Sequence, residues 1–425
     1  MPDSKVQPPV IVIPGITGTG LHDFYPIPPK EIWSAILSKN YERISMHPDN
    51  PRYEALEPAR VQAGGIFGVI YEDLVAALRF DLTTKRIGST PVFPFSYDWR
   101  QDCTRTADLL AEFVDEVIER TLLLPHYRNA GGSLRVDLVA HSMGGLIIAD
   151  YLARYGKGKK VRRVVSIGTP FEGAVDAIEK VSTGMGTLTG SFPRDREREA
   201  SRTIPALYQL LPSYDEAVAG EPGQPKDVFE VRTWEVWQRS VLRTLQEYIR
   251  LHKAQIAPET LLGQYLDSAW RHRLRVRGVD LSKVLPEGTK GWLAIAGIGS
   301  PTRLTVEAKK DTGGRWFWFP PPLDEWTDDH TSVKTGDGTV PLYGAVPYFL
   351  KPKNLACISP IEFDWTELQD KALAKSAGFH AALPTVNLVQ RLTIKFFRRE
   401  FSGDIKARPA PGVDQAEWPM DIPPA

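Results

Sequence analysis

Residues Arg135–Tyr151, "RVDLVAHSMGGLIIADY", confine the fold more tightly than any other part of the chain. Val136–Ala140 is a short apolar run of strand length. Leu146, Ile147, Ala149, Tyr151 and Leu152 then fall on one face of a helix. Only His141–Gly145 separate the two, so the strand must become a helix through a sharp bend. Ala140 and Gly144 flank Ser142 at minus two and plus two, where a larger side chain would clash across the turn. Ala140 stands where the usual G-x-S-x-G pattern has its first glycine, and it is the next smallest residue. Such a bend lifts a serine hydroxyl above the sheet edge and against a helix N-terminus. A serine before a helix also has a plainer use as a cap. The remainder of the chain decides between the two.

Val10–Ile13 is an all-apolar run read as a central parallel strand, ending in a turn-rich loop, Pro14–Gly20. Open α/β sheets place their ligands at that carboxyl edge. The next seventy residues read as loop-rich, with prolines at 26, 28, 29, 48, 51 and 58. Helical periodicity is expected over Val69–Phe80 and Thr106–Leu124, with a strand at Pro91–Phe95 between them. A further strand is expected at Val161–Ile167. The alternation predicts a mostly parallel sheet with helices on both faces. After Pro170 the pattern lapses, and 172–288 reads as an inserted cap rich in aromatics such as Trp234 and Trp237. Strands return at Trp292–Ile298 and Leu355–Ile358, and Thr385–Phe397 reads as a closing helix. The expected organisation is therefore core 1–171, cap 172–288, core 289–401, and a loose proline-rich tail 402–425.

Lys+Arg and Asp+Glu both number 52, which removes the electrostatic case for a nucleic-acid or anionic-membrane partner. Two cysteines, Cys103 and Cys357, form neither a disulfide framework nor a metal cluster, and no metal or other cofactor is expected. No apolar run of spanning length and no leader-like N-terminus is found, so integral membrane association is not expected, and the expected compartment is the cytoplasm.

A serine nucleophile needs a base and a group to orient it, in the chain order Ser, acid, His. Asp337, in "KTGDGTVPL", follows the strand after the cap, and His380, in "SAGFHAALP", follows the last strand. Asp324, Asp328, Asp329 and His330 are rivals on the same excursion. His22, His47, His126, His252 and His272 lack matching context, and His141 is assigned a packing role. Backbone N–H groups of Met143 and Ile16, with Thr17 as the alternative to Ile16, are the expected oxyanion donors. Asp98 and Arg100 are expected to pair and fix their loop. The aromatic segment Gly313–Trp326 reads equally as an acyl-pocket wall or as a hairpin packed on the cap.

Five segments, "VIVIPGITGTGL", "FSYDWR", "VDLVAHSMGGL", "SIGTPFEGA" and "GDGTVPL" with a histidine downstream, resemble the lecithin:cholesterol acyltransferase family of α/β-hydrolases. They run in the family's order from residue 10 to about 390. The resemblance implies an α/β-hydrolase fold, Ser142 as nucleophile, Asp337 as orienting acid and His380 as base. It implies an acyl ester or lipid substrate, with the acyl group passed to water or to an alcohol. Eukaryotic members are typically secreted or membrane-anchored and disulfide-bonded, and this chain departs from that pattern. Hydrolysis is the expected activity, with O-acyl transfer as the alternative and a catalytically silent binding protein as a third reading.

Overall fold

The computed structural model describes residues 6–34, 40–48, 61–83, 88–184, 195–312, 314–321, 332–362, 378–400 and 405–425. Its strands are β1 (Val10–Ile13), β2 (Thr19–Asp23), β3 (Lys30–Trp33), β4 (Val61–Ile66), β5 (Val92–Pro94), β6 (Val136–His141), β7 (Val161–Ile167), β8 (Val218–Ala219), β9 (Trp292–Gly297), β10 (Val306–Asp311), β11 (Gly314–Trp318) and β12 (Leu355–Ile358). The central sheet has the order β12-β9-β7-β6-β1-β5, and every neighbouring pair is parallel. Its inner strands are apolar on both faces because both faces are covered. Ile11, Ile13, Leu138 and Ala140 face helices Cys103–Leu122 and Met143–Tyr155, which contribute Leu110, Val114 and Leu146. Val10, Val12 and Val139, one residue out of phase, face helices Gly68–Asp81 and Asn387–Arg398, with Leu74, Leu78, Val389 and Phe396.

From β1 the chain steps to β5 on one side and then crosses to β6 on the other. That reversal opens a crevice at the carboxyl ends of β1 and β6, where a doubly wound sheet receives its ligand. The elbow serine and the Pro14–Gly20 loop both lie there.

Between β7 and β9 the chain leaves the sheet for helices that include Val175–Thr183, Arg239–Leu251 and Pro258–Arg277. β8 pairs with β10, and β10 with β11, so the hairpin 306–318 joins this helical layer. Phe317 is buried there against Trp234 and Trp237, at ring-centroid distances of 6.2 and 6.5 Å. The described part of the aromatic segment is thus a hairpin packed on the helical layer between β7 and β9. Residues 313 and 322–331, with Asp324, Asp328, Asp329 and His330, lie outside the described residues.

Two expectations need correction. The stretch read as loop-rich carries a three-stranded sheet, β3-β2-β4, with irregular register beside Leu21. Its strands are short and rich in glycine and charge, so no alternation announces them. The tail is not loose over 405–425: Cys357 and Arg408 exchange backbone hydrogen bonds, and Trp418 Nε1 donates to the Leu355 carbonyl at 2.8 Å. Ile405, Ala407 and Met420 are buried beside β12, closing what would otherwise be an exposed sheet edge.

His272, on helix Pro258–Arg277, is fully buried and, among the described residues, has no hydrogen bond to either ring nitrogen. Its Nε2 stands 3.6 Å from Asp150 Oδ2. Burial, the largest influence, lowers its pKa from 6.5 to about 4 against the pull of Asp150 and Asp102. The unfolded chain therefore takes up this proton first. Stability is fully present above about pH 6.5 and drains as the pH falls toward 4, by on the order of 1 kcal/mol per pH unit. We expect His272→Gln to lose less stability than the parent between pH 7.5 and pH 5 in urea titrations. Parallel losses in the two proteins would remove His272 from the account.

Candidate active site

The strand-to-helix bend places Ser142 at φ 53°, ψ −127°, a left-handed backbone that residues with a Cβ rarely adopt. The cause lies two residues on. A Cβ at Gly144 would stand 2.7 Å from the Ile13 carbonyl oxygen and 2.8 Å from that of Pro14, so the helix start abuts the end of β1. Ser142 N–H donates to the Ile167 carbonyl at 2.8 Å, fixing the bend to β7 as well. The serine does not cap its helix, because its side chain makes no capping hydrogen bond. Its Oγ lies 2.9 Å from His380 Nε2.

His380 Nδ1 lies 2.6 Å from Asp337 Oδ2. The other carboxylate oxygen accepts from the Thr339 and Val340 N–H groups at 3.0 and 2.7 Å. Asp337 is 1 % exposed, so both of its oxygens are committed in a dry setting. Gly338, at φ 93°, makes the tight turn that brings those two N–H groups round. Gly297, closing β9, has no room for a Cβ, which would meet the Asp337 Cβ at 2.5 Å.

The Pro14–Gly20 loop is held from outside. Tyr97 Oη donates to the Pro14 carbonyl at 2.8 Å and Trp99 Nε1 to the Thr19 carbonyl at 3.1 Å. Asp98 and Arg100 pair through two hydrogen bonds, at 2.9 and 2.7 Å, as expected. Among the described residues no hydrogen bond engages the N–H of Ile16, Thr17 or Met143. Thr17, at φ 61°, is a second left-handed residue on this rim.

Ser142, His380 and Asp337 are therefore brought together from the ends of three strands, whereas His47, His126, His252 and His272 are not. His47 packs on His252, and His126 meets the Ser89 carbonyl at 3.0 Å. His141 does more than pack: its Nδ1 lies 2.9 Å from Tyr71 Oη and its Nε2 lies 3.0 Å from the His380 carbonyl oxygen. Tyr71 Oη also accepts from the Gly15 N–H at 2.9 Å. Tyr71 was not among the residues singled out by sequence. Its only signal there is its place on the buried face of helix Gly68–Asp81.

Among the described residues no group of three or more His, Cys, Asp or Glu side chains is placed to hold a metal. A cavity of about 820 Å³ is lined by Tyr214, Arg303 and Tyr343 among others, and none of the three site residues lines it.

Sheet order, elbow and crossover together define an α/β-hydrolase fold. A chain of the Tle4–Tli4 complex shares it, with a TM-score of 0.58 over 92 % of this chain and 98 % of that one, at 14 % identity. The lecithin:cholesterol acyltransferase family model matches residues 85–267, which include the elbow. Phospholipase A(1) LCAT3 of Arabidopsis thaliana is 28 % identical over 153 residues. That alignment spans 34 % of this chain and about a third (31 %) of the relative's length. Over those residues the chain is similar to the lecithin:cholesterol acyltransferase family.

The contact at Gly144 yields a direct test. Gly144→Ala must push the helix from β1 and should cost about 1–3 kcal/mol in urea unfolding. Unchanged stability would mean that the approach of helix and strand is looser than described.

Proposed function

We propose that this protein is a serine carboxylester hydrolase acting on acyl esters of lipids, with Ser142 as nucleophile, His380 as general base and Asp337 as the orienting acid. The observation that carries this reading is the unbroken Ser142–His380–Asp337 hydrogen-bond chain at the mouth of the β1/β6 crevice. In the first step the Ser142 hydroxyl proton passes to His380 Nε2 as Oγ attacks the ester carbonyl. The tetrahedral oxyanion faces the N–H of Met143 and of Ile16, with Thr17 as the alternative donor. The ester C–O bond then breaks, the leaving alcohol takes the proton from His380, and an acyl-serine remains. Water, deprotonated by His380, attacks that acyl group and returns the serine.

Family likeness and the phospholipase name of the plant relative support a lipid substrate. So does the β2–β3 turn, where Tyr25 and Ile27 are 76 % and 98 % exposed, an apolar tip suited to an aggregated lipid. Among the described residues no helix is long and apolar enough to cross a membrane. We propose the cytoplasm as its compartment, in keeping with a sequence that carries only two cysteines, Cys103 and Cys357. Residues 172–288 serve as the cap in this reading, their aromatic layer supplying apolar walls.

A fluorophosphonate should label Ser142, and Ser142→Ala should lose both label and esterase activity. His380→Ala and Asp337→Asn should each lower kcat by on the order of 10³–10⁴, with losses far from additive when combined with Ser142→Ala. Labelling at another serine overturns the assignment. To separate hydrolysis from transfer, a p-nitrophenyl ester is supplied with a long-chain alcohol or cholesterol, and free acid is weighed against new ester by mass spectrometry. We expect free acid to dominate. A majority of new ester at modest alcohol concentration replaces the hydrolase with an acyltransferase.

A further inference from the structure

We propose that Tyr71 and His141 are positioning residues, a buried relay that ties the oxyanion loop to the backbone of His380 and so sets the base over Ser142. The proposal rests on the assignment of Ser142 and His380 given above. Three consecutive hydrogen bonds carry it: Gly15 to Tyr71 at 2.9 Å, Tyr71 to His141 at 2.9 Å, and His141 to the His380 carbonyl at 3.0 Å. They join segments 56, 70 and 239 residues apart in the chain.

The direction of every proton follows from the end groups. A backbone N–H can only donate, so Tyr71 Oη accepts from Gly15. A carbonyl can only accept, so His141 must carry its proton on Nε2. A neutral His141 then offers a lone pair at Nδ1, and Tyr71 gives its own proton there. Each of the three bonds has one donor and one acceptor, with no conflict. Burial, helped by the nearby His380, holds His141 well below the ordinary histidine pKa, and burial keeps the Tyr71 phenol protonated. His141 is 5 % exposed and Tyr71 1 % exposed, so water is not at hand to replace a lost partner.

Neutrality matters because the His141 and His380 rings are 5.0 Å apart. A charged His141 would oppose the imidazolium that His380 becomes. The close contacts also leave little slack: a Cβ on Gly15 would lie 2.8 Å from the Ser142 Cβ and 3.3 Å from His141 Nδ1. A shift of the His380 backbone therefore changes the serine–histidine distance, and a displacement near 1 Å can cost about 10²-fold in rate.

The test uses the full chain, a soluble p-nitrophenyl ester, and rates normalised to the sites that a fluorophosphonate finally labels. Tyr71→Phe keeps ring volume, His141→Phe keeps a somewhat larger aromatic ring, and both remove the relay's hydrogen bonds. Each should lower kcat by about 10- to 100-fold with KM nearly unchanged. The double variant should be little worse than the poorer single one, because both break one path. His141→Gln, whose side-chain amide can still donate to the His380 carbonyl, should recover most of the rate. Labelling of Ser142 in the parent, lost in Ser142→Ala, tests the nucleophile separately. A parent that labels, alongside phenylalanine variants with parental kcat, overturns the relay alone. The relay is equally overturned if His141→Gln proves as poor as His141→Phe, since that outcome reduces His141 to packing.

Discussion

No carbon atom fits between Gly144 and the carbonyls that end β1, and much of the site follows from that contact. With the helix Met143–Tyr155 seated against Ile13 and Pro14, the chain can leave β6 only by reversing at Ser142. The serine accepts the left-handed backbone for that reason, at a cost of about 1–3 kcal/mol. The offset comes from a sheet whose inner strands are buried on both faces. Gly145 completes the junction, because a Cβ there would overlap Thr169 after β7. The carboxyl ends of three neighbouring strands thus meet at one bend, which leaves the serine hydroxyl with one direction to point.

A second set of constraints fastens the helical layer above the sheet. Arg273 and Arg277, one turn apart on helix Pro258–Arg277, face the segment that leaves β7. Arg273 donates to the carbonyls of Phe171, Gln209 and Leu211, and Arg277 pairs with Glu172. Arg275 points the other way, to Asp150 on the elbow helix at 2.9 Å. Burial lowers the Arg273 pKa to about 10, so the group stays charged at neutral pH inside a ring of carbonyl dipoles. Truncating a buried charge partner costs far more than the intact pair contributes, because the remaining group is left in a dry medium. These arginines therefore pin helix Pro258–Arg277 to both the β7 loop and the helix behind Ser142.

The core elements were legible because their signals are local. All-apolar runs of four to six residues mark β1, β9 and β12, apolar stretches interrupted by polar residues mark β6 and β7, and small residues around Ser142 mark the bend. Asp337 and His380 were legible through chain order, each following the strand that fixes it. What escaped depends on pairing at a distance. β2, β3 and β4 are too short and too polar to show alternation, and they exist because they pair with each other. The tail gains order from the open edge of β12, which no tail residue announces. Tyr71 looked like any aromatic on an amphipathic helix, since its hydroxyl acquires partners only when β1 and β6 converge. His141 reads as packing for the same reason: its neighbours in space come from positions 71 and 380.

The polarity of the groups around His380 also fits the chemistry proposed for it. Among the described residues Asp337 is the carboxylate hydrogen-bonded to its ring, and both oxygens of that carboxylate are occupied, one by His380 and one by two backbone N–H groups. Those N–H bonds fix the carboxylate without neutralising it, so its charge remains available to an imidazolium. On the opposite side the ring meets His141, which burial keeps neutral, with an uncharged phenol behind it. A proton arriving on His380 thus finds an opposite charge at hydrogen-bond distance and no like charge on the facing ring. In a dry site that asymmetry outweighs what the same groups contribute in water, because the screening that mutes such differences is absent.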